Sequence, residues 1–185
     1  GEIPPGPYLA IVGTRRCSNY GRQITLEISS TLARSGVCVV SGMAKGIDSF
    51  AHQGCLQEKG KTIAVLGTGL DEESIYPKEN LSLSRQIIAS KGCLLSEYKP
   101  GTKGLPQNFP KRNRIISGLA LGVLVVEAKR KSGSLITARH AFLQKRKVFA
   151  VPGSIFSSNS QGTNHLIKQG ALLVERGRDI LRYLN

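Results

Sequence analysis

Short apolar stretches of strand length recur along the chain at 8–12, 37–40, 62–66, 93–96, 123–126, 148–151 and 171–174. Most are rich in Val, Ile and Leu without polar alternation. A strand apolar on both faces is buried on both faces, which predicts a parallel sheet sandwiched between helices. Segments of mixed polarity with helical spacing lie between them, at 22–34, 49–58, 80–89, 114–121, 135–144, 164–168 and 178–183. The regular alternation predicts a doubly wound α/β fold with a mostly parallel sheet and helices on both faces. Gly36, Gly60, Gly92 and Gly170 stand where helices return to strands, and they read as helix stops in the left-handed backbone region.

In open sheets of this kind, ligands sit at the carboxyl ends of the strands. The informative loops are therefore those at 13–20, 41–48, 67–77, 97–113, 127–134 and 152–163. The first offers Gly13-Thr14-Arg15-Arg16, two guanidinium groups for phosphate or a tight turn with solvated arginines. The second is Ser41-Gly42-Met43-Ala44-Lys45-Gly46-Ile47-Asp48. Gly42 and Gly46 there allow close backbone approach, Lys45 brings charge, and the following helix presents unpaired amides, the elements of a phosphate cradle. The segment is neither G-x-G-x-x-G nor a Walker A loop, so triphosphate hydrolysis is not supported. Asp48 reads as a first-turn helix acid.

Lys78, in Tyr76-Pro77-Lys78-Glu79-Asn80, stands just ahead of a helix. Lys129, Arg130, Lys131, Ser132, Gly133 and Ser134 combine three charges with a small-residue turn before another. In Phe109-Pro110-Lys111-Arg112-Asn113-Arg114, three cations fall within four residues. They suit a sugar-phosphate backbone, while Phe109 either packs a domain corner or offers a face for base stacking. Glu97 and Glu127 lack an acidic partner at a recognisable spacing, and no nucleophile stands out.

Composition narrows the choice. The 185 residues are expected to form one domain. The 26 Lys and Arg against 12 Asp and Glu give a formal charge of +14, a field that attracts nucleic acid or nucleotides. No apolar run reaches membrane-spanning length and no basic amphipathic segment suggests membrane binding. Cys17, Cys38, Cys55 and Cys93 are widely spaced, which predicts neither a zinc site nor a disulfide framework. Cys38 and Cys93 read as small buried hydrophobes. A reducing, cytoplasmic setting is expected.

Taken together, the ordered motifs resemble the DNA-processing protein A (DprA/Smf) family. The resemblance rests on Ile11-Val12-Gly13-Thr14-Arg15, Tyr20-Gly21, the 41–48 and 76–80 segments, Phe109 to Gly118, Glu127-Ala128, Lys131-Ser132-Gly133-Ser134, Val151-Pro152-Gly153 and Gly162-Thr163-Asn164. It implies an extended Rossmann-like domain that binds single-stranded DNA, protects incoming strands in natural transformation and loads the RecA recombinase. It further implies a homodimer, no enzymatic activity and no cofactor. Members commonly carry a helical domain before this one and a winged-helix-like domain after it, and neither is expected within these residues. Carried onto matching positions, Arg15, Lys45, Lys78, Arg112, Arg114 and Lys131 become DNA-facing cations. Ser41, Gly42, Gly46, Ser132 and Gly133 shape phosphate pockets beside Phe109. Lys45 stands where the family often has Arg, keeping charge but losing bidentate geometry. The alternative is a nucleotide-binding or nucleotide-hydrolysing protein of related fold. The Pro-Gly-Gly-x-Gly-Thr-x-x-Glu signature of such hydrolases is absent.

Overall fold

The computed structural model describes residues 1–184. Seven parallel strands, β1 (Tyr8–Val12), β2 (Cys38–Ser41), β3 (Thr62–Val65), β4 (Cys93–Leu95), β5 (Gly122–Val125), β6 (Lys147–Ala150) and β7 (Leu172–Leu173), form one sheet. Their order is β4-β3-β2-β1-β5-β6-β7. The helices are α1 (Asn19–Arg34), α2 (Ile47–Gln57), α3 (Leu81–Ala89), α4 (Asn108–Leu119), α5 (Gly133–Leu143), α6 (Gln161–Lys168) and α7 (Gly177–Leu181). The α/β, doubly wound, Rossmann-like reading holds, with every strand pair parallel.

Side chains alternate across a strand, and β1 shows why its sequence is nonetheless apolar throughout. Leu9 and Ile11 pack with Ile28 and Leu32 of α1, Ala51 of α2 and Ile180 of α7. Ala10 and Val12 point the other way, toward Ile116 of α4, Ala138 and Ala141 of α5 and Leu166 of α6. Strand β3 and the edge strand β4 are covered by Leu83 and Ile87 of α3. Each such Leu, Ile or Val side chain, moved from water to the core, contributes about 1.5–3 kcal/mol. Cys38 and Cys93 are buried among these residues, as expected, and all four cysteines are free thiols.

Two local expectations change. The segment 109–113, read as loop, is the start of α4. Pro110 falls in the first helical turn, where its missing N–H removes no intrahelical bond, so it does not mark a boundary. Gly36 and Gly170 have φ of +76° and +94°, but at 60 and 92 the left-handed residue is the preceding one, Lys59 (φ 55°) and Lys91 (φ 58°). A side chain on either of those glycines would instead meet neighbouring backbone and core atoms.

The chain runs β1 to β4 in one direction across the sheet and then returns through α4 to place β5 beside β1. The loops that follow β1 and β5 therefore diverge, and a crevice opens between them at the carboxyl edge.

Candidate nucleic-acid interface

A cleft of about 640 Å³ fills that crevice. One wall is the turn after β1, with Thr14, Arg15 and Arg16. The opposite wall is the turn before α5, with Lys129, Lys131, Ser132 and Gly133, and Phe109, Arg112 and Asn113 of α4 line it between them. Ser132 caps α5, its hydroxyl accepting from the Ser134 amide at 3.3 Å. The positive end of α5 and its unpaired amides therefore stand at the cleft wall.

The helical start of α4 sorts the three-cation cluster by direction. Residues three apart share a helix face, so Phe109, Arg112 and Ile116 turn inward, while Lys111 and Arg114 are exposed. Arg112 is only 4% exposed. Its Nη1 donates to Gly42 O at 2.8 Å and to Val65 O, and its Nε donates to Asn113 Oδ1 at 3.3 Å. This corrects the expectation of a DNA-facing cation: Arg112 ties α4 to the ends of β2 and β3.

Asp48, also buried, faces Arg112 across Gly42. A Cβ built on Gly42 would lie 2.7 Å from Asp48 Oδ2 and 2.8 Å from Arg112 Nη2. Gly42 is thus required by these two side chains, and any substituent there must displace buried charge. Burial pushes the Asp48 carboxyl up, to about 6, against the pull of Arg112 and of amides at Ala44, Gly13 and Gly42. Burial likewise pushes the Arg112 guanidinium down, to about 10, opposed by Asp48, and the group stays charged at neutral pH.

Ser41 and Gly46 also differ from the phosphate-pocket expectation. The Ser41 hydroxyl is fully buried and donates to Ile11 O at 2.6 Å, joining β2 to β1. Gly46 has φ +79°, and a Cβ there would lie 2.5 Å from Thr14 O. Its backbone is pressed against the turn after β1, which fixes one wall of the cleft.

The aromatic positions form a small stack. Phe109 lies 5.8 Å from Tyr76, centroid to centroid, and the guanidinium carbons of Arg15 and Arg112 lie 5.5 and 5.9 Å from its ring centre. A base stacking on Phe109 must therefore move Arg15 aside or stack on its planar guanidinium. Tyr76, which sequence reasoning did not single out as an aromatic contact, is half exposed. Its position next to Pro77 was the available signal.

The remaining cations stand further out. Lys45 and Gly42 line a smaller cavity of about 40 Å³ that shares Arg15, Tyr76 and Phe109, and Lys45 pairs with Glu79. Lys78 donates to Glu72 O and Glu73 O at 3.0 and 2.6 Å. Arg114 pairs with Glu97 at 2.6 Å. Lys78 and Arg114 line neither cavity, nor do Ser41 and Gly46. Among the sequence-selected residues the main cleft brings together Arg15, Phe109, Arg112, Lys131, Ser132 and Gly133.

Glu127 is held by structure. Its carboxylate accepts from Ser18 N at 2.9 Å and Ser18 Oγ at 2.6 Å, and its backbone carbonyl accepts from Thr14 N at 2.8 Å. The residue stitches the walls together beneath the cleft. The described residues contain no cluster of three or more His, Cys, Asp or Glu side chains placed to hold a metal ion. No helix among them is long and apolar enough to cross a membrane.

Comparison with known proteins finds likeness in sequence and in fold. The DNA processing protein DprA of Streptococcus pneumoniae is 50% identical over 175 residues, covering 95% of this chain and 61% of that protein. The X-ray structure of DprA from the same species superposes with a TM-score of 0.88 at 47% identity, over 96% of this chain and 61% of the other. A Helicobacter pylori DNA processing protein A structure, described for its single-stranded DNA binding mode, gives a TM-score of 0.85 at 34% identity, over 97% and 80%. The chain thus spans about three fifths of the length of the S. pneumoniae relative. The model of the DNA recombination-mediator protein A family matches residues 2–185, and the chain belongs to that family.

Proposed function

We propose that this chain binds single-stranded DNA in the cleft between β1 and β5 and acts as a recombination mediator. In this reading it protects strands during natural transformation and passes them to RecA, in the cytoplasm, as a homodimer and without catalysing a reaction. The observation that carries the proposal is the cleft itself. Arg15, Lys129 and Lys131 surround it without ion-pair partners among the described residues, an aromatic pair lies at one side, and a helix N-terminus faces across. Such a site follows a sugar-phosphate chain and accepts any base that stacks. Family membership supports the same reading, as does the single-stranded DNA binding mode described for the H. pylori relative.

In this reading the exposed groups divide the work. Arg15 and Lys131 meet phosphates from opposite walls, and the Ser132 and Gly133 amides receive a third oxygen. Arg112 and Asp48 hold the floor on which these groups are placed. Lys45, Lys78 and Arg114 extend the positive surface outward.

Fluorescence anisotropy of labelled oligothymidylate across a salt series tests the proposal. Contact with three phosphates predicts that log K falls against log salt with a slope near −2, at about 0.7 per phosphate for a single strand. Lys131→Gln should reduce that slope by about 0.7. A slope near zero in the parent protein overturns the proposal. Release of a base or sugar phosphate from a nucleotide, followed by chromatography, would instead favour the nucleotide-hydrolysing alternative.

A further inference from the structure

We propose that the amino edge of the sheet, opposite the cleft, is a second phosphate-binding face that takes another segment of single-stranded nucleic acid. The inference rests on the reading that the cleft binds such a strand.

All seven strands run parallel, so every return from helix to strand falls on this one edge. Four of those returns bring exposed lysines to it. They are Lys59 and Lys61 before β3, Lys91 before β4, Lys145 and Lys147 at the start of β6, and Lys168 before β7. Strands lie about 4.8 Å apart, and the four intervals from β3 to β6 set the two lysine groups roughly 19 Å from each other. None of the six has a carboxylate partner among the described residues. Glu58 at this edge is taken by Arg34 at 2.7 Å. At the carboxyl edge Arg15, Lys129 and Lys131 are likewise unpaired among the described residues, while Lys45 and Arg114 are paired with Glu79 and Glu97.

Backbone conformation adds a second observation. Lys59, Lys91 and Lys145 have φ of 55°, 58° and 56°. This is the left-handed helix stop, where glycine carries no steric cost and asparagine little. The chain uses glycine at the equivalent stops Gly36 and Gly170, so three lysines are kept where the backbone favours another residue. Attraction to the helix carbonyl ends contributes about 0.3–1 kcal/mol for a cation at a helix end. It gives no reason for Lys61, just before β3, or for Lys147, the first residue of β6. Lys147 rests on the Tyr183 ring, 4.7 Å from its centre, with its ammonium group at the same edge.

The test uses the triple variant Lys59→Gln, Lys91→Gln and Lys145→Gln. Its control, Arg85→Gln with Arg139→Gln, removes exposed charge from the middle of α3 and α5, between the two edges. Anisotropy is read across a salt series on oligothymidylate of roughly six nucleotides, within the size range of a single site, and on one several times longer. The lysine variant should bind the short strand with an unchanged slope and the long strand with a slope reduced by about 2, at 0.7 per phosphate. The arginine control should match the parent on both. Energy transfer between donor- and acceptor-labelled short strands, present in the parent and lost in the lysine variant, would show that a separate strand occupies the edge. Transfer absent from both would assign it to the continuation of one strand. An unchanged slope on long strands, or an equal fall in the arginine control, overturns the proposal. Salt-independent binding of the short strand to the parent would instead overturn the reading of the cleft.

Discussion

Replacing Arg112 with methionine separates a structural guanidinium from a DNA-facing one. Methionine preserves most of the aliphatic volume, so the perturbation is loss of charge and donors. Gly42 O and Val65 O each lose a donor, at about 1–3 kcal/mol for a buried group left unsatisfied. Asp48 loses the cation that lowers its carboxyl pKa, and its carboxylate is left without a charged partner. Breaking a buried pair by removing one partner costs about 3–5 kcal/mol. For a domain of this size that corresponds to a fall in melting temperature of roughly 6–20 °C. An exposed DNA-contacting arginine would change stability by no more than about 0.5 kcal/mol. The assay is thermal unfolding followed by circular dichroism, at neutral pH and without DNA. A double-mutant cycle with Asp48→Asn should return part of the loss, because the double variant leaves no unpaired charge. A melting temperature within about 2 °C of the parent would refute the inward assignment of Arg112.

Two further outcomes follow from the same packing. Gly46→Ala should destabilise the fold by about 1–3 kcal/mol, because its Cβ would meet Thr14 O at 2.5 Å in a left-handed residue. Lys45→Gln in the same loop is exposed and should stay within about 0.5 kcal/mol; melting curves showing equal losses would contradict the close approach. The fully buried His52 is bonded through Nδ1 to Thr62 Oγ1 at 2.8 Å, and burial, helped by Arg112, drives its pKa down to about 3. A depressed folded-state pKa means that its stabilising contribution is complete above about pH 6.5 and is lost as pH falls toward 3. Asp48, raised to about 6, acts with opposite sign, gaining as pH falls through 6. Urea unfolding of His52→Gln against the parent isolates the first: the variant should lose less stability between about pH 6.5 and pH 4, and parallel profiles would count against a neutral buried imidazole.

The strands were legible because a doubly covered parallel sheet makes both faces of each strand apolar, as Leu9 with Ile11 and Ala10 with Val12 show. The carboxyl-edge loops were legible for the same reason, since strand order decides where they converge. Side-chain direction was not. A serine that ends a strand reads the same whether its hydroxyl meets solvent or, like Ser41, a neighbouring strand's carbonyl. The three cations at 111–114 read as one cluster until the helical start at Asn108 turned Arg112 away from Lys111 and Arg114. Asp48 carried a helix-start signature that concealed its place under the floor.

Those inward residues explain why the cleft is positive where it is. Loops from β1, β2 and β5 stay together only if polar groups are spent between them, and Ser41, Asp48, Arg112 and Glu127 are the ones consumed. The cations left over divide by whether a carboxylate holds them. Arg15, Lys129 and Lys131 have none among the described residues, whereas Lys45 and Arg114 are paired with Glu79 and Glu97. Under the proposed function, a strand entering the cleft meets the first three directly and must displace a carboxylate to reach the outer two. Exposed pairs of this kind are worth about 0–1 kcal/mol, so the displacement is shallow. Under the proposed function, added phosphate contacts should spread outward from the β1–β5 crevice as the strand lengthens.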